Sequence, residues 1–345
     1  MPSVEREIAE AAVHGGNIAA ARKRFPDAPE PWIDLSTGIS PFPYPHSPIA
    51  ATAFERLPEP EDEATLRLAA ARAYGAGSAD NLVAAPGTQI LLPHLFRLRP
   101  PGKAAVLGLT YAEHARCAAM CGHECVEVDD SAALAAADIA VVVNPNNPDG
   151  RVLGRAELLA IAGELKARGG LLIVDEAFME VGPEATSLGC TVDELPVVVL
   201  RSFGKFHGLA GVRLGFAIAG VQAAGKLRRE LGPWAVSGPA IAVGMQALTD
   251  DDWRNAQRVR LAEDMVRLRE MLCGTGAQLV GGTSLFQLIS HPQAPVLFET
   301  LGRHGILVRP FDRDQQLLRF GLPDNEVSWS RLEEALSVFR GSPER

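Results

Sequence analysis

Short runs of consecutive apolar residues recur along the first two thirds of the chain. Four of them are 104–107, 139–143, 171–174 and 197–200. Unbroken runs of about four to eight apolar residues are typical of strands that are buried on both faces. The sequence therefore predicts a set of buried strands, most of which end in turns that carry polar residues.

Helical patterns separate and follow these strands. One helix is predicted over 61–74, with Gly75 as its stop signal, and another begins at Pro86-Gly87-Thr88-Gln89 and ends near Arg97. Further helices are predicted over 155–168, 221–231, 237–249, 252–273 and 324–339, and short strands over 277–280, 285–288, 306–308 and 317–320. This change of pattern after Trp234 predicts a second, smaller α+β domain.

The predicted elements divide the chain into three parts. Residues 1–45 form a proline-containing arm that cannot build its own core and is assigned in part to the small domain. Residues 46–235 form the large domain, and residues 236–345 form the small C-terminal domain. A chain of 345 residues exceeds the usual size of one domain, which agrees with this division.

Charge and hydropathy exclude several classes of partner. The net charge of −9 argues against binding to nucleic acid or to an anionic membrane. The N-terminus is acidic and lacks an apolar core, so no signal peptide is predicted. No apolar run approaches the roughly 20 residues that span a bilayer. We therefore expect a soluble cytoplasmic protein.

The five cysteines are too few and too scattered for a disulfide framework. Cys117, Cys121 and Cys125 are spaced by four, with His114 and His123 nearby, so a metal site is conceivable. The same spacing suits one buried helical face that runs into a strand at Cys125. Because free cysteine is commonly buried, we expect the helix and no metal.

The most informative segment surrounds Lys205. A buried strand leads into a turn-like segment, 201–205, and then into a strand predicted over 212–219. A lysine held by a turn at a strand end is partly desolvated, so its amine can be neutral and nucleophilic, as Schiff-base chemistry requires. Ser202 and Arg213 are placed to hold a phosphate beside it. A strand–turn–strand connection with a solvated lysine explains the local pattern equally well.

This segment resembles the lysine motif of pyridoxal-phosphate enzymes with the aspartate-aminotransferase fold, S-[FL]-[SG]-K-x-x-G-L-[AP]-G-x-R-x-G. The fixed positions are filled by Ser202, Gly204, Lys205, Gly208, Leu209, Gly211, Arg213 and Gly215, among others. The resemblance covers essentially the whole chain. It implies an α/β fold of fold type I, with a mostly parallel seven-stranded sheet in the large domain and a small domain built from both termini. It also implies a homodimer with the active site at the subunit interface.

The resemblance implies pyridoxal 5'-phosphate as the cofactor. Lys205 would be the catalytic lysine, and Asp175 would bind the pyridine nitrogen and keep it protonated. Tyr111 would stack on the ring, and Asn147 would hydrogen-bond the phenolic oxygen. Phe178 stands where aminotransferases usually carry a tyrosine. The phosphate contacts would come from Gly87, Thr88, Gln89, Ser202 and Arg213.

Two of these positions also have simpler local explanations. Thr88 could be an ordinary N-cap, although a glycine turn at a helix start presents N–H groups to an anion. Tyr111 could be a cover for the core, although it follows a strand end, where open α/β sheets bind ligands.

Two segments of the N-terminal arm narrow the resemblance to one group of these enzymes. The segments His14-Gly15-Gly16-Asn17 and Asp34-Leu35-Ser36-Thr37-Gly38-Ile39-Ser40-Pro41 resemble those of threonine-phosphate decarboxylases, which make an aminopropanol phosphate for cobalamin assembly. In that group and in histidinol-phosphate aminotransferases, the second segment lines the substrate pocket. The substrate contacts implied are His14, Gly15, Gly38, Ile39, Asn147, Arg309 and Arg319.

Two of these contacts are arginines in predicted strands. A structural arginine there would pair with an acid, because its charge cannot be removed. The resemblance instead implies that Arg319 clamps the substrate carboxylate with its planar fork and that Arg309 contacts a phosphate. A departure from the family pattern occurs at Leu57, where a tyrosine usually reaches the cofactor phosphate of the partner subunit.

The resulting hypothesis is decarboxylation of L-threonine O-3-phosphate to (R)-1-amino-2-propanol phosphate. The nearest alternative is transamination of histidinol phosphate or a similar amino substrate. This fold also serves as an effector-sensing domain in transcription regulators. Those carry a DNA-binding helix-turn-helix, and no basic segment of that kind precedes His46.

Overall fold

The computed structural model describes residues 15–339 of the chain. They fall into two compact units, of which the larger comprises Tyr44–Asn147 and Arg151–Arg254. The smaller unit comprises the described residues up to Pro43, Pro148–Gly150, and the described residues from Asn255 onward.

Twelve α-helices are assigned within the described residues. In chain order they are α1 (Ile18–Arg24), α2 (Thr52–Glu55), α3 (Pro60–Tyr74), α4 (Leu91–Phe96), α5 (Glu113–Met120), α6 (Arg155–Ala167), α7 (Phe203–Phe206), α8 (Val221–Leu231), α9 (Gly238–Thr249), α10 (Asp251–Cys273), α11 (Ala294–Arg303) and α12 (Glu326–Ser337).

The strands form one sheet in the larger unit and two in the smaller one. In chain order they are β1 (Ile33–Asp34), β2 (Leu82–Ala85), β3 (Lys103–Leu107), β4 (Glu124–Val128), β5 (Ile139–Val143), β6 (Leu171–Asp175), β7 (Val197–Ser202), β8 (Gly215–Ala219), β9 (Gln278–Thr283), β10 (Phe286–Ser290), β11 (Ile306–Leu307), β12 (Arg309–Pro310) and β13 (Leu317–Phe320).

The sheet of the larger unit has seven strands in the order β2-β8-β7-β6-β5-β3-β4. Strand β8 runs opposite to the other six strands and is therefore antiparallel to its neighbours, β2 and β7. All residues of β5 and β6 are buried, as expected for strands covered on both faces. The predicted mostly parallel seven-stranded sheet is confirmed, and β2 at its edge is a strand that the apolar pattern did not reveal.

Local signals fix the bounds of the first long helix, α3. Pro60 occupies its first turn, and the Asp62 carboxylate accepts a hydrogen bond from the Glu59 backbone N–H at 3.0 Å. Gly75 ends the helix in the left-handed conformation, at φ +67°. The predicted stop at Gly75 is therefore where the helix ends.

Residues 236–254 belong to the larger unit, so the predicted boundary at 235/236 differs from the structure. Helix α9 packs on α3, and Gly244 lies at their contact. A Cβ at Gly244 would lie 2.6 Å from a methyl carbon of Leu214 and 2.9 Å from one of Leu66, so a larger residue would force these side chains to shift. This packing, rather than the change of pattern after Trp234, determines where the larger unit ends.

The smaller unit joins the N-terminal segment to the C-terminal part of the chain. Strand β1 pairs in parallel with β11, and the Gly321 backbone N–H donates to the Leu35 carbonyl at 2.6 Å. The other four strands form an antiparallel sheet in the order β12-β13-β10-β9. Backbone pairing thus connects residues that are nearly 300 positions apart in the sequence.

Two local predictions for the segment around Lys205 differ from the structure. The segment around Lys205 is a short helix, α7, rather than a turn. Val212 lies in a 3₁₀ turn, and the following strand begins at Gly215 rather than at 212. Cys117 is buried in α5, and burial raises the pKa of its thiol to about 11.

No group of three or more potential metal ligands lies close together within residues 15–339. Within the same residues, no helix has the length and apolar character needed to cross a membrane.

Candidate active site

A cavity of about 180 Å³ lies in the larger unit, at the edge of the sheet where the parallel strands end. The segments that follow β2, β3, β5, β6 and β7 all contribute to it, because carboxyl ends of parallel strands meet at one edge. Its lining includes Gly87, Thr88, Gln89, Tyr111, Asn147, Phe178, Ser202, Lys205 and Arg213. A larger groove of about 710 Å³ lies at the opposite edge, and no predicted site residue lines it.

Lys205 is half-buried in α7, directly after β7. A four-residue helix is not stable alone, so its position depends on packing, which the buried Phe203 and Phe206 supply. The Lys205 Nζ lies 6.0 Å from the centre of the Phe178 ring. The amine therefore has an apolar aromatic ring beside it, at the position where aminotransferases usually carry a tyrosine with its hydroxyl.

Arg213 and the turn at Gly87 lie against each other. Gly87 has φ +86°, and a Cβ there would lie 2.6 Å from Arg213 Nη2. A Cβ at Gly215 would lie equally close, 2.6 Å, to the Thr88 backbone nitrogen. These two glycines bring the Arg213 guanidinium next to the start of the helical segment at Thr88. A cation beside a helix start suits an anionic group such as a phosphate.

Asp175, the last residue of β6, is buried and is not among the residues that line the cavity. Its carboxylate accepts a hydrogen bond from the Ala177 backbone N–H at 3.1 Å, and its Oδ2 lies 2.9 Å from His114 Nε2. His114 is fully buried. A buried aspartate needs a partner, and this one, His114, is 61 residues away in the sequence, so local patterns do not identify it.

Tyr111 lines the cavity next to this pair. Its ring packs edge-on against His114, with 5.8 Å between ring centres. Its hydroxyl donates a hydrogen bond to Gln89 Oε1 at 3.1 Å. Burial, followed by the nearby Glu113 and Asp175 carboxylates, raises the pKa of Tyr111 to about 12. The phenol therefore stays protonated at neutral pH.

Asn147 is the last asparagine of the turn segment Asn144-Pro145-Asn146-Asn147-Pro148-Asp149-Gly150, and it lines the cavity. The two preceding asparagines form the turn instead. Asn144 Oδ1 accepts from the Leu153 backbone N–H at 2.8 Å, and Asn146 Oδ1 accepts from the Thr110 hydroxyl at 2.6 Å. The turn is thus held by its own side chains, which leaves its last asparagine at the cavity.

Glu176 directly follows Asp175, the last residue of β6. It is fully buried and forms an ion pair with Arg201 at 2.9 Å, and the Ser187 hydroxyl donates to the same carboxylate at 2.8 Å. This pair links the ends of β6 and β7 just beside Asp175 and Ser202.

Arg309 and Arg319 lie in the smaller unit, directly opposite each other on the antiparallel strands β12 and β13. Arg319 is 5% exposed, and its Nη2 donates to the Ser36 carbonyl at 2.6 Å. Burial, and then repulsion from Arg309, lower the pKa of Arg319. Two adjacent cations of this kind are stabilised by a bound anion.

The remaining predicted substrate residues also belong to the smaller unit. Ser36 links the two segments that contain these residues, because its hydroxyl accepts a hydrogen bond from the Gly16 backbone N–H at 2.7 Å. Gly15 is exposed and lies against Ser36. Gly38 is buried with φ +62°, and Ile39 is half-buried. His14 lies outside the described residues.

Comparison with known proteins identifies the family to which the chain is similar. A family model described as aminotransferase class I and II matches residues 31–332. The chain is 42% identical to the threonine-phosphate decarboxylase of Pseudomonas aeruginosa, over 95% of this chain and 98% of that protein. It is 30% identical to the histidinol-phosphate aminotransferase of Maricaulis maris, over 84% of this chain and 86% of that protein.

Solved structures show the same fold. One is the histidinol-phosphate aminotransferase of Sinorhizobium meliloti in complex with pyridoxal-5'-phosphate, with a TM-score of 0.79 and 22% identity over 95% of each chain. The family model covers most of the sequence, and the relatives are matched along nearly their whole length. The chain therefore belongs to the aminotransferase class I and II family.

Proposed function

We propose that this chain is a pyridoxal-phosphate-dependent carboxy-lyase that converts L-threonine O-3-phosphate to (R)-1-amino-2-propanol phosphate and carbon dioxide, for cobalamin assembly. The observation that carries the cofactor assignment is the cavity, which gathers residues from five strand ends around Lys205. The choice of reaction rests on the higher identity to a threonine-phosphate decarboxylase, 42%, than to a histidinol-phosphate aminotransferase, 30%.

The residues present fit the cofactor's chemical groups. The Arg213 guanidinium, packed against Gly87 beside Thr88, and the Ser202 hydroxyl suit the phosphate. Tyr111 offers an aromatic face to the pyridine ring, and Asn147 offers an amide to its phenolic oxygen. Both side chains line the same cavity.

When bound, pyridoxal phosphate supplies a protonated ring that accepts the electron pair released at the substrate Cα. Asp175 would hold the proton on the ring nitrogen, with its carboxylate oriented by His114 and the Ala177 N–H. Lys205 would bind the cofactor aldehyde and carry a proton at Nζ. Phe178 would place an apolar ring beside that amine, and it donates no hydrogen bond.

The substrate's acidic groups match the two arginines of the smaller unit. Arg319 would bind the carboxylate through its planar fork, and Arg309 would contact the phosphate. Their adjacency on β12 and β13 supports a ligand with more than one negative charge. Gly38 and Ile39 would contact the rest of the substrate through backbone and apolar atoms.

Product analysis tests the reaction. The enzyme loaded with pyridoxal phosphate is incubated with threonine phosphate in the absence of a keto acid. We expect carbon dioxide and the amino alcohol phosphate in equal amounts, over many turnovers. Accumulation of pyridoxamine phosphate with a keto-acid product, and no carbon dioxide, would instead support a histidinol-phosphate-type aminotransferase.

We further propose that the enzyme is a cytoplasmic homodimer with its active site at the subunit interface. Phe54, Leu57 and Trp234 of the larger unit are more than half exposed, although all three are large and apolar. A second copy of the chain would cover such side chains. Light scattering tests this, and a monomeric mass for active enzyme would contradict it.

A further inference from the structure

Glu113 is a buried carboxylate next to the cavity that no step of the proposed reaction uses. It is the first residue of α5, is 5% exposed, and does not line the cavity. Its Oε2 accepts hydrogen bonds from Arg116 Nη2 at 2.6 Å and from Gln89 Nε2 at 2.7 Å. A buried carboxylate needs such partners, but a helix-surface arginine alone would suffice for a structural role.

The second partner, Gln89, connects Glu113 to the cavity. The Gln89 amide accepts a hydrogen bond from the Tyr111 hydroxyl through its oxygen, at 3.1 Å, and donates to Glu113 through its nitrogen. With the amide reversed, its oxygen would face the carboxylate. The charge on Glu113 therefore determines which end of the amide faces Tyr111.

A continuous chain of hydrogen bonds thus runs from Arg116, whose side chain is 38% exposed, through Glu113 and Gln89 to the Tyr111 hydroxyl. The Tyr111 ring is also packed against His114, the residue that follows Glu113 in α5. The Tyr111 hydroxyl is therefore held by Gln89, which is bonded to Glu113, and the Tyr111 ring is packed against His114. Both contacts depend on residues at the start of α5.

We propose that Glu113 is a positioning residue that acts through Gln89 to fix the Tyr111 ring in the cavity, and thereby fixes the pyridine ring against which Tyr111 packs. This inference rests on the proposed cofactor. If Glu113 had only a structural role, it would stabilise the start of α5 through Arg116. Its replacement would then have the same effect whether or not Gln89 and the Tyr111 hydroxyl are present.

The test uses Glu113→Gln, Tyr111→Phe and the double variant. Pyridoxal phosphate is the probe, and the measurements are its dissociation constant, the induced circular dichroism of the bound cofactor, and the melting temperature without cofactor. We expect each single variant to bind the cofactor roughly threefold to tenfold more weakly and to reduce the dichroism. The double variant should match Tyr111→Phe, because the hydroxyl that Glu113 positions is already absent.

Glu63→Gln is the matched control. Glu63 lies in the first turn of α3 and pairs with Arg67 at 3.8 Å, so the change has the same chemistry on another helix of the same unit. It should leave both cofactor measurements unchanged. Should Glu113→Gln not fold, Glu113→Asp in the wild-type and Tyr111→Phe backgrounds provides the same comparison, because the shorter side chain keeps the charge and withdraws the carboxylate from Gln89.

Two outcomes overturn the inference. One is a lower melting temperature for Glu113→Gln with unchanged affinity and dichroism, which indicates a structural role. The other is an equal loss in the wild-type and Tyr111→Phe backgrounds. Absence of cofactor binding by the wild-type protein would instead overturn the proposed function.

Discussion

His114 Nε2 lies 2.9 Å from Asp175 Oδ2, and both side chains are buried. The pair couples a residue of α5 to the carboxylate at the end of β6. If Asp175 holds the pyridine nitrogen, His114 determines which way that carboxylate faces.

Replacement of His114 tests this relationship. In His114→Leu the carboxylate keeps the Ala177 N–H but loses its side-chain partner, so we expect the free energy of unfolding to fall by about 1–3 kcal/mol. Cofactor affinity should fall as well. Chemical denaturation and cofactor titration measure the two effects, and unchanged affinity would show that His114 only stabilises the fold.

Lys205→Ala should abolish turnover and the visible absorbance of lysine-linked cofactor. Binding of the cofactor should persist, because the groups around Arg213 remain. Borohydride reduction of the wild-type protein followed by peptide mapping should locate the cofactor on Lys205. Lys226, whose side chain is 44% exposed and contacts Glu230, provides the control, and label on it or on any other lysine would refute the assignment.

Arg319→Ala should weaken substrate binding by about 2–5 kcal/mol, the cost typical of a lost buried charge-assisted contact. Cofactor binding should barely change, because Arg319 is not among the residues that line the cavity. Calorimetry with threonine phosphate and with cofactor separates the two. An equal loss of both would identify Arg319 as structural, through its bond to the Ser36 carbonyl.

Arg309→Ala should discriminate between threonine phosphate and threonine. If Arg309 contacts the substrate phosphate, the variant loses affinity for the phosphorylated ligand and retains its weak affinity for threonine. An equal loss of affinity for both ligands would show that Arg309 contacts the substrate carboxylate or stabilises the fold instead. The measurement is a competition titration of the loaded enzyme with the two ligands.

Arg201→Met should destabilise the protein by about 3–5 kcal/mol, because the buried Glu176 loses its cation. The Glu176→Met, Arg201→Met double variant should recover part of this stability, because the buried Glu180 still lacks the Arg201 charge. Burial already raises the pKa of Glu176, and removal of Arg201 raises it further. A raised carboxyl pKa makes the folded state bind more protons than the unfolded one, so the deficit of Arg201→Met should shrink as pH falls from about 8 to 5. A deficit that is independent of pH would contradict this account.

The buried strands and the lysine motif were predictable from the sequence because their causes are local. A strand covered on both faces must be apolar at successive positions, as 139–143 and 171–174 are. A stop at Gly75 requires only that one residue adopt positive φ. The motif around Lys205 likewise occupies one continuous segment, and the family membership it implied is now shown by the comparisons.

The partners of the buried charged groups were decided by tertiary structure. Asp175 and His114 are 61 residues apart, and Gln89 and Glu113 are 24 apart. A sequence shows that a buried carboxylate needs a partner but not which side chain the sheet order brings to it. For the same reason, the pairing of β1 with β11 and of Arg309 with Arg319 could not be read from local patterns. Hydrogen bonds and ion pairs act over a few ångströms in space, so only the folded chain selects which residues form them.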